Sequence, residues 1–298
     1  MLAIIIPYYK LAFFEETLQS LENQTDQRFK VYIGDDASPE NPGEVLERYK
    51  GKFDFLYHRF DTNIGGISLV KQWMRCINMT GGEDWIMILG DDDYFEETVI
   101  ENWYKNYGIF NGKSNLVRFA SKVIDEKSGT ISESFQHPEF ENAMDSLFRK
   151  FMGKTRSSLS EHVFSRESYI KHGFVDFPLA WYSDDMAWLD FSDNKPIYTI
   201  NESTIFVRIS EESISGMNDN LVLKYKAKEL FYRNLVFDKL SRFNSIQKRS
   251  LLLEYEILAK EQNRLNLKSS IYIGLQLARI GSVYTMAKFV RRVFKAKF

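Results

Sequence analysis

The chain has 298 residues, 44% of them hydrophobic and 27% charged, and a formal net charge of −2: ordinary globular values, with room for one large α/β domain or two smaller ones. A single cysteine, Cys76, excludes an internal disulfide and a multi-Cys zinc site and points to a reducing compartment. The apolar run Leu2–Pro7 is too short for a secretory leader, and no uncharged apolar stretch reaches membrane-spanning length, so the expectation is a cytoplasmic protein.

In chain order, LAIIIPYY reads as a buried strand, because β-branched residues dominate a short apolar run. Phe13–Asn23 has apolar residues at helical spacing. FKVYIGDDAS is a second strand ending in acids, Glu44–Tyr49 a helix, FDFLYH a third strand, ISLVKQWMRCIN a helix and DWIMILG a fourth strand. Strands alternating with helices predict βαβ units and a mainly parallel sheet. NLVRFASKVI adds a strand, the stretch to Thr199 mixes loops with short helices, and from about Leu221 the chain reads as helical. The expected division is residues 1–110, 111–217 and 218–298, the first two being halves of one domain.

From Gln262 to Phe298 there are eight Lys or Arg and no Asp or Glu, so the rest of the chain is distinctly acidic. An acidic body is a poor nucleic-acid binder. The basic tail suits an anionic surface. Read as a helix, residues 283–298 carry an apolar stripe (Val283, Met286, Val290, Val293, Phe294) and a cationic one (Lys288, Arg291, Arg292, Lys295). That pattern predicts either packing on its own domain or peripheral attachment to an anionic membrane face.

Three acidic clusters carry the chemistry. Asp35-Asp36 and Asp91–Asp93 both end strands, where ligands sit in open α/β sheets. For Asp35-Asp36 the alternatives are a solvated turn with a cap and a contact to a base or ribose. Unit charges about 4 Å apart repel by roughly 4 kcal/mol near a protein surface, so the Asp91–Asp93 triplet needs a compensator. Capping of a helix beginning near Phe95 would satisfy one carboxylate; a hard divalent cation, Mg²⁺ or Mn²⁺, would satisfy more. Asp184-Asp185 stands among Trp181, Tyr182 and Trp188, where partial desolvation suits a general base; a helix N-terminus is the other reading.

Together IIIPYYK, IGDDAS, NIGGISLVKQW, LGDDD, SDDMAW and VRISEESIS resemble, over about residues 1–215, the family 2 inverting nucleotide-sugar glycosyltransferases. The resemblance implies a GT-A-type α/β fold, a mainly parallel sheet flanked by helices, with a C-terminal helical region beyond it. It also implies donor contacts from Pro7, Tyr9, Asp36 (base), Gly66, Lys71, Asp91 (ribose), Asp92 and Arg208 (diphosphate). Asp93 would hold the metal, with Asp92 as the alternative ligand, and Asp185 would be the base, with Asp184 as the alternative. Two departures stand out. Lys71-Gln72 replaces the usual Arg-Asn, and Ser210 takes the place of a His that reaches the metal. The implied donor is UDP- or GDP-linked, and the acceptor a saccharide or lipid-linked saccharide in polysaccharide or glycolipid assembly. A sugar-phosphate nucleotidyltransferase would need a glycine-rich basic loop that PYYKLAFFEE lacks. A catalytically silent nucleotide-sugar or glycan-binding module is the reading from another class.

Overall fold

Short apolar runs become strands here because both faces of a mainly parallel sheet are covered by helices. The computed structural model describes residues 1–211, 213–217, 220–281 and 283–295, without the side chains at 283, 285 and 292–295. The chain divides into two compact units, Met1–Asn220 and Leu221–Phe298.

The first unit begins with β1 (Leu2–Tyr8), α1 (Phe14–Glu22), β2 (Phe29–Asp35), α2 (Gly43–Tyr49), β3 (Phe55–Arg59), α3 (Leu69–Ile77) and β4 (Trp85–Ile88). It continues with β5 (Tyr94–Phe95), α4 (Val99–Phe110), β6 (Leu116–Asp125), β7 (Thr130–Ile131), β8 (Phe140–Glu141) and α5 (Ala143–Phe151). It closes with β9 (His162–Ser165), α6 (Arg166–His172), α7 (Ser183–Phe191) and β10 (Ile197–Ile209). One sheet runs β3-β2-β1-β4-β9-β6-β10-β5, with β7 beside β6 and β8 beside β10. β3, β2, β1 and β4 are parallel, β9 enters antiparallel between β4 and β6, and β10 lies parallel to β6. The chain winds outward from β1 to β3 and then returns to β4 on the other side of β1. That reversal puts the ends of β1, β2 and β4 around one crevice, the place where such sheets bind ligands.

Two expectations about helix starts are corrected. Tyr94 and Phe95 do not begin a helix but form β5, paired with Phe206 and Ile205 of β10, and α4 starts only at Val99. The triplet Asp91–Asp93 therefore caps nothing. Nor does the turn at Asp35-Asp36 cap a helix, since α2 starts at Gly43 after Pro42.

Gly34 of β2 shows how closely α3 lies on the sheet. A Cβ there would stand 2.3 Å from Cys76 Sγ and 3.1 Å from the Phe60 ring. Gly34→Ala is expected to lower stability by about 1–3 kcal/mol, the range for overpacking a filled core. Adding Cys76→Ala should recover part of it, and urea unfolding of the three variants measures the coupling. Strict additivity would overturn the clash as the cause.

The second unit is helical: α8 (Leu221–Phe237), α9 (Ser245–Glu261), α10 (Leu267–Arg279) and α11 (Val283–Lys295). Asn244 opens α9 with a reciprocal cap. Its side chain accepts from Ile246 and Gln247 N–H, and the Gln247 side chain accepts from Asn244 N–H. Phe289 of α11 is buried, with its ring over Gly274 of α10. Of the tail stripes, Met286 is half-buried, while Lys288, Val290 and Arg291 are exposed. The side chains of Val283, Arg292, Val293, Phe294 and Lys295 lie outside the described residues. No described helix is long and apolar enough to cross a membrane.

Candidate active site

The crevice is lined from β1 upward. Pro7 and Tyr8 end β1, and the next two residues point their backbone N–H groups at the triplet: Tyr9 and Lys10 donate to Asp91 Oδ2 at 2.7 and 2.9 Å. Asp91 thus fixes the turn after β1. Asp93 is buried; its Oδ1 accepts from the Arg208 backbone N–H at 2.8 Å, and its Oδ2 from the Ser160 hydroxyl. Asp92, between them, is half-buried. Burial drives all three carboxyls up. Asp93 reaches about 6, and Asp92 is raised well above the usual carboxylate range by burial and then by the charges of Asp93 and Asp91. A cation is the natural relief for such a pair.

Asp35 is structural. Its oxygens accept from Ser38 N–H at 2.8 Å, Tyr57 O–H at 2.6 Å and Arg59 Nη1 at 2.7 Å. Asp36 holds the loop before α3. Ile64 and Gly65 N–H donate to it at 2.8 Å each, and Arg75 Nη2 adds an ion pair. Gly65 must be glycine for this approach, because a Cβ would lie 2.4 Å from Asp36 Oδ2. The same loop presents Gly66 and, one turn on, Lys71, both exposed.

Arg208 is tied to the triplet. Its backbone serves Asp93, its Nε donates to Asp92 O at 2.9 Å, and its guanidinium forms ion pairs with Glu16 and Glu126 over the Phe13 ring. In this arrangement it braces the triplet; meeting a diphosphate requires it to exchange those acids for phosphate.

Asp184 and Asp185 lie in the first turn of α7, after Tyr182 in the left-handed conformation with φ 71° and no side-chain cap. The pair thus does stand at a helix N-terminus, in its first turn, although neither acid is the N-cap residue. Lys150 Nζ donates to both oxygens of buried Asp185 at 2.7 Å, and also to Ser157 O at 3.0 Å. Asp184 is half-buried, and burial together with the Asp185 charge raises it to about 7. The segment between Ser157 and Ser160 thus spans from Lys150, on the pair, to Asp93, on the triplet. Ser160, Lys150 and Arg75 were missed from the sequence. Ser160 sits in SSLSEHVF, where nothing in the local pattern marks it, and only the insertion of β9 beside β4 brings it to Asp93.

The residues suit a hard divalent cation. Among the described residues no three His, Cys, Asp or Glu side chains form a ready-made cage. The adjacent carboxylates of Asp92 and Asp93 instead give an all-oxygen partial set, of the kind that Mg²⁺-type ions complete with substrate phosphates and water.

Residues 3–109 match the profile of Glycosyl transferase family 2. Glycosyltransferase GlyG of Streptococcus pneumoniae is 26% identical over 106 residues, 35% of this chain and 34% of that protein. An uncharacterized glycosyltransferase of Haemophilus influenzae is 35% identical over 96 residues, 32% and 30% of the two chains. The matched region thus spans about a third of these relatives. Among solved structures, S. aureus TarS 1-349 in complex with UDP-GlcNAc superposes with a TM-score of 0.65 at 15% identity, covering 94% of this chain and 80% of that one. The TarS 1-349 complex with UDP gives 0.59 at 14% identity, covering 94% and 82%. The fold is the GT-A type, with a helical region after it.

Proposed function

We propose, on the premise that residues 3–109 belong to glycosyl transferase family 2, that the protein moves a sugar from a nucleotide-diphospho-sugar to an acceptor hydroxyl with inversion. The observation that carries this is the junction of two acidic centres by one segment: Ser160 on Asp93 and Lys150, bonded to Ser157 O, on Asp185. One centre suits the leaving diphosphate and the other the attacking hydroxyl. Asp185 accepts the acceptor proton as the oxygen bonds to C1 and the bond from C1 to the phosphate oxygen breaks. Lys150 keeps the Asp185 carboxylate oriented. Asp93, with Asp92 beside it, would hold Mn²⁺ or Mg²⁺, which neutralises charge growing on the diphosphate. Asp91 orders the backbone of Tyr9 and Lys10 beside the ribose, Pro7 and Gly66 line the donor, and Lys71 lies on its open side.

TarS is seen with UDP-GlcNAc and UDP, so a UDP-linked sugar is the first candidate donor and a GDP-linked one the second. The acceptor reading is a saccharide or lipid-linked saccharide of polysaccharide or glycolipid assembly.

The test is a melting panel of UDP, GDP, dTDP and CMP with and without Mn²⁺, followed by hydrolysis of the matching sugar donor. Ligand at about 100 Kd adds roughly 2.7 kcal/mol, which at about 2 °C per kcal/mol for a domain of this size shifts the midpoint by about 5 °C. The expected result is a Mn²⁺-dependent shift by one nucleotide and slow release of that nucleotide from its sugar. Binding without release would favour a silent binding module; no shift with any nucleotide would sink the reading.

A further inference from the structure

We propose that the helical unit, Leu221–Phe298, carries a docking face for an anionic phospholipid bilayer, built on α10 and the cavity beside it. Two features of different kind meet there. The first is a column of large apolar side chains along α10: Leu267, Ile271 and Leu275, spaced four apart, are 62%, 54% and 56% exposed. The opposite side of the helix supplies its buried residues, Ser269, Ser270, Ile273 and Leu277. A helix this apolar on its outer face has its packing face already filled, so the column is surplus to folding.

The second feature is a cavity of about 570 Å³ lined by Arg233, Arg264 and Lys268 with Phe237, Tyr255 and Tyr272. Its size is that of a small-molecule site. One acid faces it, Glu229, which is buried and paired with Arg264 at 2.8 Å. Cations over an aromatic floor are the chemistry for a phosphate carried on a small polar body, as in a phospholipid headgroup. Lys268 follows Leu267 directly, so cavity rim and apolar column adjoin.

Charge decides the occupant. The chain from Gln262 to Phe298 has no Asp or Glu and eight Lys or Arg, which repels a basic partner and attracts a polyanionic plane. The column would enter the boundary between headgroups and acyl chains, as interfacial amphipathic helices do. Each cation near an anionic bilayer adds about fivefold to partitioning. The surface is thereby assigned to α10 and the cavity, and it stands whatever nucleotide the first unit takes.

The test is co-sedimentation of the full chain with vesicles of equal parts phosphatidylcholine and phosphatidylglycerol, against vesicles of phosphatidylcholine alone. The expected result is pelleting with the anionic vesicles only. The exposed triple variant Leu267→Ser, Ile271→Ser, Leu275→Ser is expected to stay in solution while keeping the wild-type melting curve. The double variant Arg233→Gln, Lys268→Gln is expected to partition about 25-fold less, and to lose more than Lys113→Gln with Lys127→Gln, which lie on the other unit. Failure of the wild type to pellet at low salt, or equal pelleting by the triple variant, would overturn the proposal. Equal losses from the two cation pairs would overturn the headgroup cavity. A dimer in solution that the triple variant dissolves, without vesicle binding, would reassign the column to a second copy.

Discussion

Asp185→Asn is expected to lower sugar transfer by about 10²–10⁴-fold while leaving nucleotide affinity intact, the range for loss of a general base. The two acids of α7 have different surroundings, and that difference assigns their roles. Asp185 is buried and shares both oxygens with Lys150, whereas burial and the Asp185 charge raise Asp184 to about 7. The ion-paired member is the proton acceptor. Asp184→Asn is expected to keep the transfer rate largely intact, because Asp185 and its Lys150 partner remain in place. A dead Asp184→Asn beside an active Asp185→Asn would move the base by one residue.

The second large effect concerns Asp93. Asp93→Asn is expected to abolish Mn²⁺-dependent nucleotide binding, measured by calorimetry with the nucleotide that the melting panel selects. Asn is the better probe than Ala because Asp93 serves two buried donors, the Ser160 hydroxyl and the Arg208 N–H. Leaving both unmatched would cost about 1–3 kcal/mol each. In the absence of metal the variant should also be the more stable protein above pH 6. Burial raises the wild-type carboxyl to about 6, so the fold favours its protonated form. Wild-type stability from this group is lost as pH climbs from about 4 to about 6 and stays lost above. Asn has no such loss. Metal-dependent binding that survives in Asp93→Asn would pass the ligand role to Asp92.

Much of the first unit was legible because parallel strands buried on both faces read as apolar runs. Leu2–Tyr8, Phe29–Asp35 and Trp85–Ile88 stood out for that reason, and the acids after β2 and β4 stood out against them. β5 and β9 were not legible. Tyr94 and Phe95 are a strand only because β10 runs alongside, and His162–Ser165 is four residues whose partners, β4 and β6, lie far away in the chain. The acidic residues were found, but not what they hold. No local pattern says that Asp36 grips the Ile64 and Gly65 amides, or that Arg208 faces Glu16 and Glu126. Those partners are chosen by tertiary packing, to which residue spacing is blind. Ser160 and Lys150 are ordinary surface residue types until β9 and α5 carry them to the crevice.

The central position of β9 has a consequence for how the protein is made. A chain emerging from the ribosome completes β4 and then β6 before His162–Ser165 exists. Until β9 is synthesised, both strands present unpaired edges of apolar backbone, the kind that recruit other chains. The stretch that matches the family profile, residues 3–109, ends with that edge open. That segment has no closed sheet of its own: the open edge of β4 is covered by a four-residue strand made more than fifty residues later.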